Sequence, residues 1–144
     1  MNPDSNLTAL ARNNRTCMIA HTATSGVMLL LLFLQAATRG SNPAVLTISC
    51  ILGIAPVAAE LLYWKKNHET TAIRHLVGNG FAVFFTFYIY TSTTFMASVF
   101  VIPMIVVISL YNNKKFSLLV NTGVVIETII LAVIGIQSGE YVYP

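Results

Sequence analysis

Residues 17–37 read CMIAHTATSGVMLLLLFLQAA and contain no formally charged side chain. A helix needs about 20 predominantly apolar residues to cross a hydrocarbon core about 30 Å thick. The stretch has this length and composition, so it predicts a membrane-spanning helix. Arg12 and Arg15 precede it, as in a signal peptide, but the apolar core of a cleaved signal has only about 7–15 residues. We therefore expect the helix to be retained.

Apolar segments of similar length follow along the chain. Residues 76–113 contain no charged side chain, and these 38 residues would form a helix about 57 Å long, nearly two hydrocarbon cores. The polar residues 91–94 (TSTT) divide this run, which predicts two spans joined by a tight hairpin. The five predicted spans are about 17–37, 44–64, 73–91, 94–111 and 116–136.

The composition supports the same fold class. Hydrophobic residues make up 56% of the 144 residues and charged residues only 9%, with a mean hydropathy of +0.73. Soluble domains have about 25% charged residues because their surfaces face water. We therefore predict one all-α, polytopic transmembrane bundle over residues 16–136, preceded by a polar segment at 1–15, with the lipid bilayer as its main partner.

The basic residues lie in short clusters between the apolar runs. One side of a five-span bundle would carry Arg12, Arg15, Lys65, Lys66, Arg74, Lys114 and Lys115, and the other side only Arg39. Because cytoplasmic loops are enriched in lysine and arginine, this bias predicts a cytoplasmic N-terminus. No basic strip with interleaved aromatic residues is present, so nucleic-acid binding is not expected.

With five spans, the tail at residues 137–144 (QSGEYVYP) would be extracytoplasmic. It is short, polar and aromatic, as an interhelical loop is. We therefore expect a sixth span to follow it in the full-length protein.

Ionisable and polar residues inside membrane spans are costly, so each is a functional candidate. His21, Glu60, His75 and Asn79 come from three spans and fall in the same, cytoplasmic third of the bilayer, with Arg74 placed to pair with Glu60. Two interpretations remain open. The residues form a polar cluster that joins three helices and can rearrange, or each side chain reaches the nearby interface or bonds locally.

Metal binding and catalysis find little support in the sequence. His21, His75 and Glu60 are residue types that bind metals, but no HExxH or similar motif is present, so neither a metal nor a cofactor is expected. The chain has no GxSxG motif and no paired carboxylates at one depth, so we do not expect an enzyme. Cys17 and Cys50 fall in opposite halves of the bilayer and are expected to be free thiols.

Glu127 lies about eleven residues into the fifth span, near the midplane, where its side chain cannot reach water. We expect a neutral carboxylic acid there. Pro103 lies near the middle of the fourth span, where a proline frees the carbonyl one turn earlier, near Val99, and kinks the helix. One hypothesis is that Glu127 donates a hydrogen bond into that gap or into a central cavity. The other is a structural acid that bonds a neighbouring helix.

The third span is dense in aromatic residues, with Phe81, Phe84, Phe85, Phe87, Tyr88 and Tyr90. These positions cover all helix faces, which predicts ordinary packing, with Tyr88 and Tyr90 in an outer aromatic belt. An aromatic ligand pocket is the alternative. Gly78 and Gly80 flank Asn79 and predict a close approach of a second helix.

Several short motifs occur in a characteristic order: Lys65-Lys66, Ile73-Arg74-His75, GFAVFF at 80–85, Ile102-Pro103 and LYNNKK at 110–115. Over about residues 12–144, this order resembles the six-helix N-terminal membrane regions of clostridial methyl-accepting chemotaxis proteins and related GGDEF-type diguanylate cyclases. The resemblance implies a sensory input region, with a sixth helix leading to a cytoplasmic output module. It also implies architectural or signal-transmitting roles for Arg74, Pro103, Tyr111 and Asn112.

The function predicted from these features is a membrane-embedded sensory domain that changes its helix packing on a stimulus, and we expect it to form a homodimer. The candidate residues are Glu127, Pro103, His21, Glu60, Arg74, His75 and Asn79. The predicted extracellular loops are too short for a separate ligand domain, so a ligand would be apolar, lipid-borne or small enough to enter the bundle. The alternative is a component of a small-molecule or ion transporter or channel, with a midplane site at Glu127 and Pro103.

Overall fold

The computed structural model describes residues 8–91, 99–111 and 114–138, and every regular element in these ranges is helical. The α-helices are α1 (Ala9–Arg39), α2 (Pro43–Lys66), α3 (Ala72–Thr91), α4 (Val101–Ser109) and α5 (Lys114–Ser138). The predicted all-α fold class is therefore confirmed for the described residues.

Three helices in the described ranges are long and apolar enough to cross a membrane, namely α1, α2 and α3. They contain the predicted spans at 17–37, 44–64 and 73–91. α1 has 31 residues and begins at Ala9. Residues 9–15, which were predicted as a separate polar segment, therefore belong to the first helix and extend it by about two turns.

For the fourth and fifth predicted spans, 94–111 and 116–136, the described residues do not include a helix that is long and apolar enough to cross a membrane. The described part of α4 has nine residues, and residues 92–98, including most of the predicted polar break, lie outside the described ranges. α5 has 25 residues and covers the predicted fifth span, and an apolar helical stretch is recognised in it over Ser117–Glu127. Both spans stay predictions, and residues 139–144 of the predicted tail lie outside the described ranges.

Helices α1 and α2 have capped ends and a short connection between them. The hydroxyl of Thr8 accepts a hydrogen bond from the Ala11 amide at the start of α1. α1 ends at Arg39, and the next residue, Gly40, has a φ of 74°, a conformation that glycine adopts without strain. Asn42 caps α2, and Pro43 occupies its first position, where a missing N–H breaks no helical bond. The two helices therefore form a tight hairpin.

Four aromatic side chains of α3 form its buried face. Phe81, Phe84, Phe85 and Tyr88 are each at most 2% exposed, and their spacing places them along one side of the helix. The rings of Phe81 and Phe85 stack with centroids 5.4 Å apart. The predicted packing role is thus confirmed for these four residues, which form a stripe that was not predicted, while Phe87 and Tyr90 lie on other faces. Tyr88 is a core residue, whereas Tyr90 is 53% exposed, as expected for an outer aromatic belt.

α3 packs mainly against α2 and also contacts α1, and the closest approach to α2 is at Gly80. A Cβ atom on Gly80 would lie 2.5 Å from the Cβ of Pro56 and 3.3 Å from the Cε1 of His21. No side chain larger than hydrogen fits there without movement. The predicted close approach is thus confirmed at Gly80.

The interior proline of the described helices is Pro56 rather than Pro103. Pro56 lies in the middle of α2, where its missing N–H leaves the carbonyl of Leu52 without its usual helical donor. Pro103 is the third residue of α4, in the first turn, where no helical bond is lost. Residues 99–100, one turn before Pro103, form a 3₁₀ turn, and residues 92–98 lie outside the described ranges, so the predicted kink stays a prediction.

We expect Gly80→Ala to lower the free energy of unfolding in detergent by about 1–3 kcal/mol, because the added methyl group meets the rigid ring of Pro56. Gly26→Ala is the matched control, since a Cβ there has no atom within 4 Å, and it should be neutral or slightly stabilising. Thermal and denaturant unfolding of the purified variants measures both. Equal stability of Gly80→Ala and the native chain would contradict the close approach.

Candidate functional site

A buried histidine–carboxylate pair joins α1 to α2. The Nδ1 atom of His21 lies 2.6 Å from the Oε1 atom of Glu60, and their side chains are 1% and 0% exposed. The ring of Phe81 from α3 meets the imidazole edge-on, with centroids 6.3 Å apart. Three helices therefore meet at one ionisable pair, which shares a hydrogen bond whose proton resides on either group.

Both members of the pair retain a second polar atom without a partner. In the part of the chain that the structure describes, Nε2 of His21 and Oε2 of Glu60 are buried and make no hydrogen bond, and the same holds for Oγ of Ser25 one turn along α1. An unsatisfied buried polar atom carries a desolvation penalty of about 1–3 kcal/mol. Since packing alone would favour apolar side chains here, these atoms mark the cluster as a functional candidate.

The polar cluster continues along the inner face of α1 towards its start. Asn14, Cys17, His21 and Ser25 follow at intervals of three or four residues and are all buried. The Cys17 thiol donates a hydrogen bond to the carbonyl oxygen of Val107 in α4, at 3.3 Å. Cys17 and Cys50 are free thiols, which confirms the prediction for both cysteines.

Side chains in the first turns of α1 form hydrogen bonds with the loop after α2 and with the end of α4. The Asn14 side-chain amide donates to the carbonyl oxygens of His68 and Thr70, at 2.9 Å and 3.0 Å. The Asn13 amide donates to the carbonyl oxygen of Leu110 at the end of α4, at 2.7 Å. The loop after α2 and the end of α4 therefore lie at the same end of the bundle as the start of α1.

The predicted four-residue polar cluster is only partly correct. The structure brings His21 and Glu60 together, but His75 and Asn79 are exposed on the outer side of α3. Glu60 bonds His21 rather than Arg74, whose Nη2 atom lies 3.3 Å from Nε2 of His75. The interpretation that each side chain reaches the interface or bonds locally thus fits His75, which contacts the neighbouring Arg74, and the exposed Asn79, and the interpretation of a joining cluster fits the other two.

The predicted midplane site at Glu127 and Pro103 stays a prediction. The Oε1 atom of Glu127 is buried without a hydrogen-bond partner, and the residue as a whole is half-buried. The side chain of Pro103 is exposed on the outer face of α4. No hydrogen bond from Glu127 to α4 is found among residues 99–111, so the hypothesised bond into a gap at Pro103 is not supported.

Sequence reasoning missed Asn13, Asn14 and Pro56. A signal was available for each, since the two asparagines directly precede the first apolar run and Pro56 lies four residues before Glu60. Of the residues singled out by the resemblance, Tyr111 lies beside Cys17, and Asn112 is outside the described ranges. Within those ranges, no group of three or more histidine, cysteine, aspartate or glutamate residues is placed to bind a metal ion.

We expect His21→Leu and Glu60→Leu each to destabilise the protein by about 3 kcal/mol, because each leaves its former partner buried without a counterpart. The double variant should be less destabilised than the sum of the two, since it removes both polar groups. Denaturant unfolding in detergent, arranged as a double-mutant cycle, measures the coupling. Additive losses would show that the two side chains do not interact.

The comparisons with known proteins give no relative. No protein-family model, no curated protein and no solved structure matches the chain.

Proposed function

We propose that this chain is a membrane-embedded sensory input domain that relays a stimulus to a cytoplasmic signalling module. The observation that carries the proposal is the buried His21–Glu60 pair, with one unpartnered polar atom on each side chain. A sensor needs a helix arrangement with two states of similar free energy, which a stimulus can bias. A buried pair that is costly to keep and can rearrange its hydrogen bonds provides such an arrangement.

The surroundings of the pair favour a change in helix packing as its consequence. Pro56 interrupts the hydrogen-bond ladder of α2 one turn before Glu60, which makes that part of the helix easier to bend. Gly80 of α3 contacts both Pro56 and His21 without an intervening side chain. A shift of the imidazole or the carboxylate is therefore transmitted directly to the contact between α2 and α3.

The topology proposed with this function has five spans and a cytoplasmic N-terminus. The hydrogen bonds of Asn13 and Asn14 support it, because they collect the start of α1, the loop after α2 and the end of α4 at one end of the bundle. The basic residues Arg12, Arg15, Lys65, Lys66, Lys114 and Lys115 lie in or beside those segments. Such an end faces the cytoplasm by the positive-inside rule, and the resemblance implies a bacterial inner membrane.

Reporter fusions test this topology. Alkaline phosphatase, which is active only outside the cytoplasm, should be active when fused after Ser41 or Ser138 and inactive when fused after Asn67. Green fluorescent protein at the same three positions should give the opposite pattern and serves as the control. Phosphatase activity after Asn67 would contradict the orientation, and its absence after Ser138 would contradict five spans.

The resemblance to the membrane regions of chemotaxis proteins and diguanylate cyclases supports the same role. It places the chain upstream of an output module and gives the chain no catalytic function of its own. Arg74, beside His75 at the start of α3, and Tyr111, at the end of α4, are then candidates for signal transmission at the cytoplasmic end. A homodimer is the assembly proposed with this role.

The alternative, a transporter or channel component with a midplane site at Glu127 and Pro103, has weaker support. Its strongest observation is the buried, unpartnered Oε1 atom of Glu127. However, Pro103 faces outward, and the His21–Glu60 pair is closed off at 1% exposure or less, so a solute would not reach it without a large opening of the bundle.

A chimera tests the sensory role. The chain is joined, through one added transmembrane helix, to a cytoplasmic histidine kinase whose autophosphorylation reports the state of the bundle. We expect Glu60→Gln and His21→Gln to change the kinase output severalfold, because each removes a charge state from the pair while keeping a hydrogen-bonding side chain. Glu69→Gln is the matched control, since Glu69 is exposed in the loop after α2, and it should leave the output unchanged.

The three variants must be present in membranes at equal amounts, as measured by immunoblotting. Equal kinase output from Glu60→Gln, His21→Gln and the native chimera would show that the pair is a structural feature and would overturn the proposal.

A further inference from the structure

An apolar groove of about 630 Å³ lies between α2 and α3, on the side that faces away from the other helices. Pro56 and Gly80, which bring the two helices together, form its floor. Its walls include Ile51, Ala55, Ala59, Tyr63, His75 and Asn79. The volume lies within the range of about 300–1,000 Å³ that is typical of small-molecule sites.

The polar residues of the groove lie between its mouth, at Tyr63 and His75, and its middle, at Asn79. His75 and Asn79 are one helical turn apart on α3 and are both exposed, and Tyr63 faces them from α2. Asn79 lies seven residues, about 10 Å, inside α3. An exposed amide at this depth faces hydrocarbon unless a polar partner covers it, which is costly in lipid. The opposite end of the groove, at Ile51 and Leu52, is apolar.

The length of the groove matches one leaflet of a bilayer. From Tyr63 to Ile51 it follows twelve residues of α2, which is about 18 Å of helix. Half of a hydrocarbon core about 30 Å thick is about 15 Å. The groove therefore begins at the membrane interface and ends near the midplane, as one acyl chain does.

One basic side chain extends the groove at its mouth. Lys66 is three residues after Tyr63 and continues the groove-facing side of α2, whereas Arg74 at the start of α3 lies near Tyr111 on the inner side of the bundle. Glu69 is the one acidic residue in the loop between them. Basic pockets at the cytoplasmic ends of spanning helices bind anionic lipid headgroups.

From these features we propose that the groove is a binding site for one anionic phospholipid. An acyl chain lies along α2 from Pro56 to Ile51, beginning on the floor formed by Pro56 and Gly80. The Asn79 amide donates a hydrogen bond to an ester carbonyl of the lipid. The phosphate lies at the mouth, where Tyr63, His75 and Lys66 contact it. The site does not depend on the sensory role proposed above.

Native mass spectrometry of the detergent-purified full chain tests this site, with phosphatidylglycerol and phosphatidylcholine of identical acyl chains added in turn. The native chain should retain one phosphatidylglycerol in preference to phosphatidylcholine. Lys66→Gln should weaken phosphatidylglycerol binding about fivefold, which is the contribution of one basic side chain at an anionic surface. Asn79→Leu should weaken binding of both lipids, because it removes the ester contact.

Two matched pairs of variants separate the site from general effects. Ala55→Phe fills the groove and should abolish retention, whereas Ala58→Phe, on an exposed face outside the groove, should not. Thr86→Leu, an exposed position of α3 outside the groove, is the control for Asn79→Leu. Only variants whose thermal stability in detergent equals that of the native chain are compared.

Three results would overturn the proposal. The first is equal retention of the two lipids by the native chain. The second is equal retention by Ala55→Phe and Ala58→Phe. The third is a native dimer that Asn79→Leu converts into a monomer without any change in lipid retention, which would assign the groove to a second copy of the chain.

Discussion

The contact between Gly80 and Pro56 determines the arrangement of the other features. Because Gly80 has no side chain, α2 and α3 approach closely enough for the ring of Pro56 to rest on the backbone of α3. On the inner side of this contact, His21 from α1 reaches Glu60 and lies against Phe81. On the outer side, the same two residues form the floor of the groove. The buried pair and the outer groove are thus separated by little more than one glycine and one proline.

This arrangement makes the two sides of α2 and α3 mechanically dependent on each other. A change in the distance between the helices at Gly80 alters the width of the groove and, at the same time, the space available to the imidazole of His21. Protein interiors are close-packed, so such a change is not absorbed locally and must move neighbouring side chains. The buried aromatic face of α3, with Phe81, Phe84 and Phe85, is the first structure that would respond.

Helix positions could be predicted from the sequence because span length depends only on hydrophobic length and bilayer thickness. For α2 and α3, the predicted and observed ends differ by no more than two residues. The start of α1 was missed because residues 9–15 are polar, and their helix is stabilised by tertiary hydrogen bonds such as those of Asn13 and Asn14 rather than by lipid.

The sequence did not predict which face of each helix is buried. Glu60 and Asn79 are polar residues at similar depths in neighbouring helices, and only the packing of α2 on α3 decides that one is buried and the other exposed. The buried aromatic face of α3 was also not predicted. Phe87 and Tyr90 lie on other faces, so the spacing of three and four residues among the buried aromatic residues is not evident in the sequence.

The hydrogen bonds of Asn13 and Asn14 have a consequence for biogenesis. The side chain of Asn13 bonds a carbonyl 97 residues later in the chain, and that of Asn14 bonds carbonyls 54 and 56 residues later. Chains are synthesised from the N-terminus, so α1 is made before its partners. The side-chain amides of Asn13 and Asn14 both have their hydrogen-bond acceptors only after three further helices have been made. The middle of α1 can therefore pack against α2 early, through His21 and Glu60, whereas the contact of Asn13 forms only after α4 has been made.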